Sequence, residues 1–185
     1  VIVHGGGPRI KIELAKLNIE SQFIKGLRVT DKLTMKVVEK ALVDFNSEII
    51  EKLTKKECKA NGLNVSQNNI FIVEQENIDL GFVGRPKKIL NEKIQSIIDQ
   101  QQIPVISPMG KDKKEEKYNI NADTAAAAIA KSLKSRRLLL MTDVPGVYDE
   151  NKKLINEINP VEAKALINKK IVEGGMIPKL LNSID

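Results

Sequence analysis

The chain has 185 residues, long enough for one sizeable core, and its 42% apolar and 29% charged content is ordinary for a globular protein. The net charge of +6 comes from 30 Lys and Arg against 24 Asp and Glu, but no basic stripe is interleaved with aromatics, which argues against nucleic-acid binding. Cys58 is the single cysteine, so an internal disulfide and a cysteine-rich metal site are excluded, and no apolar run reaches the ~20 residues of a membrane span.

Val1-Ile2-Val3 predicts the end of a buried strand, His4-Gly5-Gly6-Gly7 a tight turn, and Pro8 the start of a helix with Ile10, Leu14 and Leu17 on one face. Glycines in such a turn bring bare backbone N–H groups beside the positive end of a helix, where anions bind. The same turn without a ligand is an equal alternative, because the sequence is neither GxxxxGK[ST] nor GxGxxG. His4 reads as a packed or hydrogen-bonded turn residue. The chain begins inside a strand-like run and ends in a helical one, which predicts a fragment of a longer domain.

Residues 18–30 read as an irregular or hairpin segment carrying Arg28, whose fork could reach a carboxylate. Thr30 or Asp31 caps a helix with Leu33, Val37, Val38, Ala41, Leu42 and Phe45 inward; a second helix follows, with Asn61-Gly62 as its stop. Residues 70–74 and 80–85 predict a hairpin of short strands, and Asn91 the cap of a helix with Ile94, Ile97 and Ile98 inward. Residues 103–106 suit a central parallel strand, and the charged residues 111–117 a solvated loop.

Three polar residues in five, Asn119, Asn121 and Asp123, precede an alanine-rich helix; capping accounts for one of them, and function is preferred for the rest. Residues 137–142 predict a buried strand ending in Thr142-Asp143. Asn159 caps another helix, and Gly174-Gly175-Met176 opens the last, with Lys179 in its first turns. In a parallel sandwich these glycine-rich and polar turns gather on one edge. Their cations and N–H groups, with no Ser/His/Asp set and no metal cluster, suit phosphoryl transfer to an acceptor that is already an anion.

Seven segments in order carry a resemblance over essentially the whole chain: residues 1–8, 26–30, 79–84, 103–108, 119–126, 142–147 and 174–179. The sequence resembles the acetylglutamate kinases of the amino acid kinase family. The resemblance implies an α/β fold, a three-layer αβα sandwich with a mainly parallel central sheet, incomplete at both ends. It is a single domain over 1–185, with roughly 1–118 binding acetylglutamate and 119–185 starting the nucleotide half. The implied reaction is ATP-dependent phosphorylation of the side-chain carboxylate of N-acetyl-L-glutamate, the second step of arginine biosynthesis.

By that resemblance Gly6, Gly7, Arg28 and Asn119 bind acetylglutamate, with Arg28 on its α-carboxylate. Lys179 stabilises the transition state and Asp123 orients the catalytic lysines, while Thr142, Asp143, Gly175 and Met176 line the nucleotide site. Mg²⁺ arrives with ATP and needs no protein metal cage. A homo-oligomer (dimer or hexamer), a PII-type signalling partner and a cytoplasmic or plastid-stroma location also belong to the resemblance. The family's first strand carries a lysine that would lie upstream of Val1, and residues 62–69 depart from the family pattern. The alternatives are therefore another member, such as a glutamate 5-kinase or carbamate kinase, or a non-catalytic ligand-binding remnant.

Overall fold

The β-branched opening residues do form a strand, but a half-buried one at a sheet edge rather than a buried one, with Val1 54% exposed. In a computed structural model, which describes residues 1–184, β1 (Ile2–Val3) lies parallel to β7 (Ile103–Ile106). Parallel β4 (Ala60–Leu63) takes the other edge of β7, giving the order β1-β7-β4. A mixed sheet of order β6-β5-β8-β9 is built from β5 (Phe71–Gln75), β6 (Gly84–Ile89), β8 (Met109–Lys111) and β9 (Lys117–Asn119). A two-stranded hairpin joins β2 (Phe23–Ile24) to β3 (Leu27–Arg28).

Helices cover the sheets from both sides. Helices α1 (Gly7–Ala15) and α2 (Lys32–Thr54) close one apolar cluster around Ile10, Leu14, Val38 and Leu42. The other cluster lies around Phe71, Ile94, Ile106 and Ile129, under α3 (Asn91–Asp99) and α4 (Ala122–Ser132). Three layers result, with a parallel sheet at the centre. A smaller cluster of Ala163, Val172 and Leu180 joins α5 (Pro160–Asn168) to α6 (Met176–Ile184).

Several expectations are corrected. Residues 32–54 form one helix rather than two, because neither Gly nor Pro interrupts them and buried Asn46 bonds to neighbouring groups instead of breaking the turn. Asn61-Gly62 lies inside β4, where a Cβ at Gly62 would meet the Asn46 amide at 2.5 Å. Leu17 and Leu33 are exposed, the first beyond the end of α1 and the second in the opening turn of α2; Ile98 is more exposed than its neighbours Ile94 and Ile97.

Asn91 does not cap α3. Its amide is used instead by Ser132, whose carbonyl accepts from Nδ2 and whose hydroxyl donates to Oδ1. The second strand of the 70–89 hairpin starts only at Gly84, after a short 3₁₀ turn at Ile78–Leu80. Residues 111–117 hold the expected solvated loop, exposed at 113–116, but its ends pair as a hairpin: Asp112 Oδ1 accepts from the Lys114 and Glu116 N–H groups where β8 turns into β9.

Residues 137–142 are not a buried strand. Leu139 and Met141 are 79% and 91% exposed, and among the described residues no neighbouring strand meets their backbone groups. An apolar run becomes a strand only when a ladder satisfies its N–H and C=O groups.

Gly81 sits at φ +68°, and a Cβ there would overlap the Thr30 carbonyl. Both left-handed strain and overlap with backbone follow from any side chain. Gly81→Ala is expected to destabilise the fold by about 2–3 kcal/mol, a fall in Tm of about 5–10 °C by calorimetry.

Candidate functional site

Strand β1 delivers the chain into a glycine turn that caps α1 and lines a cleft of about 170 Å³. Gly5, Gly6 and Gly7 share this cleft with Arg28, Asn119 and Asn121. Of the three glycines, Gly6 is the one held close to its surroundings: a Cβ there would meet Leu42 Cδ2 at 2.5 Å, whereas one on Gly7 would meet nothing within 4 Å. Gly6 ends the turn as the N-cap of α1, with Pro8 in the first helical positions as predicted.

His4 is packed, as the sequence suggests. Its ring stands edge-on to Phe45 at 5.2 Å, Nδ1 lies 2.8 Å from the Gly5 carbonyl, and Nε2 lies 3.1 Å from Asn46 Nδ2. Burial pushes the His4 pKa below its ordinary 6.5, opposed in part by the bond to Gly5. The unfolded chain therefore takes up this proton more readily than the native one. Its contribution to stability is complete above about pH 6.5 and is lost as the pH falls below that value. Thermal melts from pH 7.5 to 5 are expected to show a fall in Tm that His4→Gln flattens.

Arg28 comes from β3, at the far side of the hairpin turn through Gly26. It is only 8% exposed, not a solvated loop arginine. Its guanidinium donates to Ser21 Oγ and, at 3.4 Å, to the Gly7 carbonyl, and it lies 4.7 Å above the Phe23 ring. Burial lowers its pKa, yet an arginine remains charged at neutral pH. The result is a fixed cation in the wall of the cleft. Ser21 and Phe23 were not legible as its partners, because nothing in sequence spacing marks a contact across a hairpin.

Asn119 ends β9, with its N–H bonded to the Phe82 carbonyl and its residue lining the cleft. Asn121 is the N-cap of α4, accepting from the Thr124 N–H at 3.0 Å. Asp123 stands in the first turn of α4 and holds Lys179 of α6, whose Nζ lies 2.9 Å from each carboxylate oxygen. Asn182 reinforces the junction by donating to Thr124 Oγ1 and the Pro178 carbonyl. The opening of α6 also approaches the hairpin: a Cβ on Gly26 would lie 3.6 Å from the Gly174 carbonyl and from Pro178.

The structure thus brings Gly6, Gly7, Arg28 and Asn119 into one cleft, with the Asp123–Lys179 pair one residue beyond its Ala122 wall. It does not bring Thr142 and Asp143 there; they are exposed, and Thr142 Oγ1 bonds to Asp143 Oδ1 at 3.2 Å. Gly175 is exposed before α6, and Met176 packs on the small α5–α6 cluster. Among the described residues no group of three or more His, Cys, Asp or Glu side chains could hold a metal, and no helix is long and apolar enough to cross a membrane.

The amino acid kinase family profile matches residues 1–185. The chain belongs to the amino acid kinase family. Within it, the chain is 52% identical over 185 residues to a protein named acetylglutamate kinase from Pelagibacter ubique, all of this chain aligning with 64% of that protein. An acetylglutamate kinase from Caldicellulosiruptor bescii is 44% identical over 195 residues, aligning with 67% of its length. The chain therefore spans about two thirds of the length of these curated kinases.

Among solved structures, smu.665 from Streptococcus mutans superposes with a TM-score of 0.93 at 33% identity, covering 98% of this chain and 75% of that one. The carbamate kinase from Giardia lamblia bound to AMP-PNP gives a TM-score of 0.61 at 18% identity, covering 96% of this chain and 69% of that one. At that identity the likeness is one of amino acid kinase fold.

Proposed function

We propose that the protein transfers the γ-phosphoryl group of ATP to the side-chain carboxylate of N-acetyl-L-glutamate, as the second step of arginine biosynthesis. The observation that carries this reading is a single cleft in which glycine N–H groups, the buried cation of Arg28 and Asn119 converge beside a carboxylate-held Lys179. The curated relatives named acetylglutamate kinase give the class of substrate.

A carboxylate has a pKa of about 4.3, so at neutral pH it attacks phosphorus without a general base. Its oxygen bonds to the γ-phosphorus, the bond to the β-phosphate oxygen breaks, and ADP leaves with the electron pair. What remains for the protein is to hold two anions in line and to neutralise the charge that spreads over the transferring oxygens. Arg28 and Asn119 hold the amino-acid end. Gly6 and Gly7 present N–H groups at the head of α1, where the helix dipole favours negative charge. Lys179 neutralises the phosphoryl oxygens, and Asp123 fixes the ammonium by binding it with both oxygens.

In this reading roughly residues 1–118 bind acetylglutamate, and the nucleotide half starts at 119, where Thr142, Asp143, Gly175 and Met176 contribute to the nucleotide site. The cationic and N–H donor set fits a polyphosphate, and Mg²⁺ accompanying ATP supplies further charge neutralisation through the phosphate oxygens. A homo-oligomer of two or six copies in the cytoplasm or plastid stroma completes the proposal. So does a PII-type partner.

Titration calorimetry tests the substrate assignment. N-Acetyl-L-glutamate is expected to bind at least about tenfold more tightly than free L-glutamate, whose charged amine replaces a neutral amide. Equal affinities, or a preference for glutamate, would contradict it.

A further inference from the structure

The hydrogen bonds around His4 determine its tautomer. The Val105 carbonyl can only accept, and it lies 3.0 Å from Asn46 Nδ2, so that atom is the amide NH₂. The same NH₂ is 3.1 Å from His4 Nε2, which must then be the accepting nitrogen. The ring proton is left on Nδ1, 2.8 Å from the Gly5 carbonyl, to which it donates. Gly62 makes this arrangement sterically possible, since any side chain there would strike the Asn46 amide.

The anchored carbonyl belongs to the same peptide unit as the Gly6 N–H. In a trans peptide these two groups point in opposite directions, and the chain has no cis bond. Tying the Gly5 carbonyl back to the imidazole therefore turns the Gly6 N–H away from the core. Among the described residues no protein group accepts from that N–H.

Resting on the kinase reading above, we propose that His4 and Asn46 are positioning residues: the Val105–Asn46–His4 relay locks the Gly5–Gly6 peptide so that the Gly6 N–H is aimed at the anion in the cleft. The relay is a preorganising device, since a glycine turn left to itself samples many peptide orientations, and only one presents this donor. Burial of the imidazole supports the device by keeping the ring neutral, as an accepting Nε2 requires. On Phe45, the ring packed against His4, lies Arg9, 4.2 Å above the phenyl ring and paired with Glu48.

Two measurements test the relay. His4 is the only histidine in the chain, so its ring ¹⁵N resonances can be read without ambiguity. A neutral ring protonated at Nδ1 is expected at pH 7.5, and an Nε2-protonated ring or an imidazolium would overturn the assignment. In steady-state kinetics of the full-length protein, His4→Phe keeps the ring volume but removes both hydrogen bonds. Its kcat per folded molecule is expected to fall about tenfold or more with KM for acetylglutamate nearly unchanged. His4→Asn places an amide donor near the Nδ1 position and is expected to recover most of that loss.

An unchanged kcat per folded molecule in His4→Phe, or no recovery in His4→Asn, overturns the positioning role. Absence of acetylglutamate-dependent turnover in the unsubstituted protein would instead count against the proposed function, while the ¹⁵N measurement would still test the relay.

Discussion

Lys179→Ala is expected to lower kcat for acetylglutamate phosphorylation by about 10²- to 10³-fold, the usual cost of deleting one preorganised charge partner of a transition state. The KM values should move far less, because in the proposed mechanism Lys179 meets a phosphoryl charge that develops mainly as the bond to ADP breaks. Lys179 and Asp123 side chains are only 21% and 17% exposed, so deleting Lys179 leaves a largely buried carboxylate without its partner and costs stability as well. The kcat is therefore read per folded molecule, with the melting temperature measured alongside. Asp123→Asn keeps the shape but removes the charge and leaves a single neutral acceptor for the ammonium, so a smaller loss in kcat than in Lys179→Ala is expected. Steady-state ADP release measures both variants, and a kcat for Lys179→Ala within threefold of the unsubstituted protein would remove Lys179 from the mechanism.

Arg28→Ala should act on binding instead. Its guanidinium is held by Ser21, Phe23 and the Gly7 carbonyl, so the fork is fixed before the ligand arrives. A charged hydrogen bond of this kind is worth about 1.5–3 kcal/mol, which corresponds to a rise of about 10- to 100-fold in KM for acetylglutamate. Arg28→Lys is not expected to restore it, because an ammonium neither stacks on Phe23 nor offers two parallel donors. The same rise in KM for ATP as for acetylglutamate would show that Arg28 serves the turn as a whole rather than one substrate.

The sequence was most readable where one local rule was enough. The β-branched runs of β1 and β7 paired in parallel, Pro8 began a helix after the glycine turn, and Asn159 formed a full capping box with Glu162. Asp31 capped α2 as its side-chain type suggests. Readings failed where a distant partner decided. Residues 32–54 read as two helices, yet they form one, and the amide of Asn46 within it is committed to His4 and Val105, 42 and 59 residues away. Asn91 is a good cap by composition and is diverted by Ser132.

The same contrast holds at the site. Gly6, Gly7, Arg28, Asn119, Asp123 and Lys179 could be singled out as residue types in telling positions; the fold brings the first four into one cleft and pairs Asp123 with Lys179. Their support could not be read. The Ser21 and Phe23 contacts to Arg28 and the Asn46 contact to His4 cross between elements, and sequence spacing carries no trace of them. Residues 137–142 failed for the opposite reason: the apolar pattern is present, but among the described residues no strand pairs with it.

The most direct measurement is ADP release by the full-length protein from ATP, with and without N-acetyl-L-glutamate, alongside aspartate, carbamate and free glutamate. Turnover that requires acetylglutamate and falls by at least about 10²-fold in Lys179→Ala is the expected result. Turnover independent of acetylglutamate, or faster with one of the other acceptors, would contradict it.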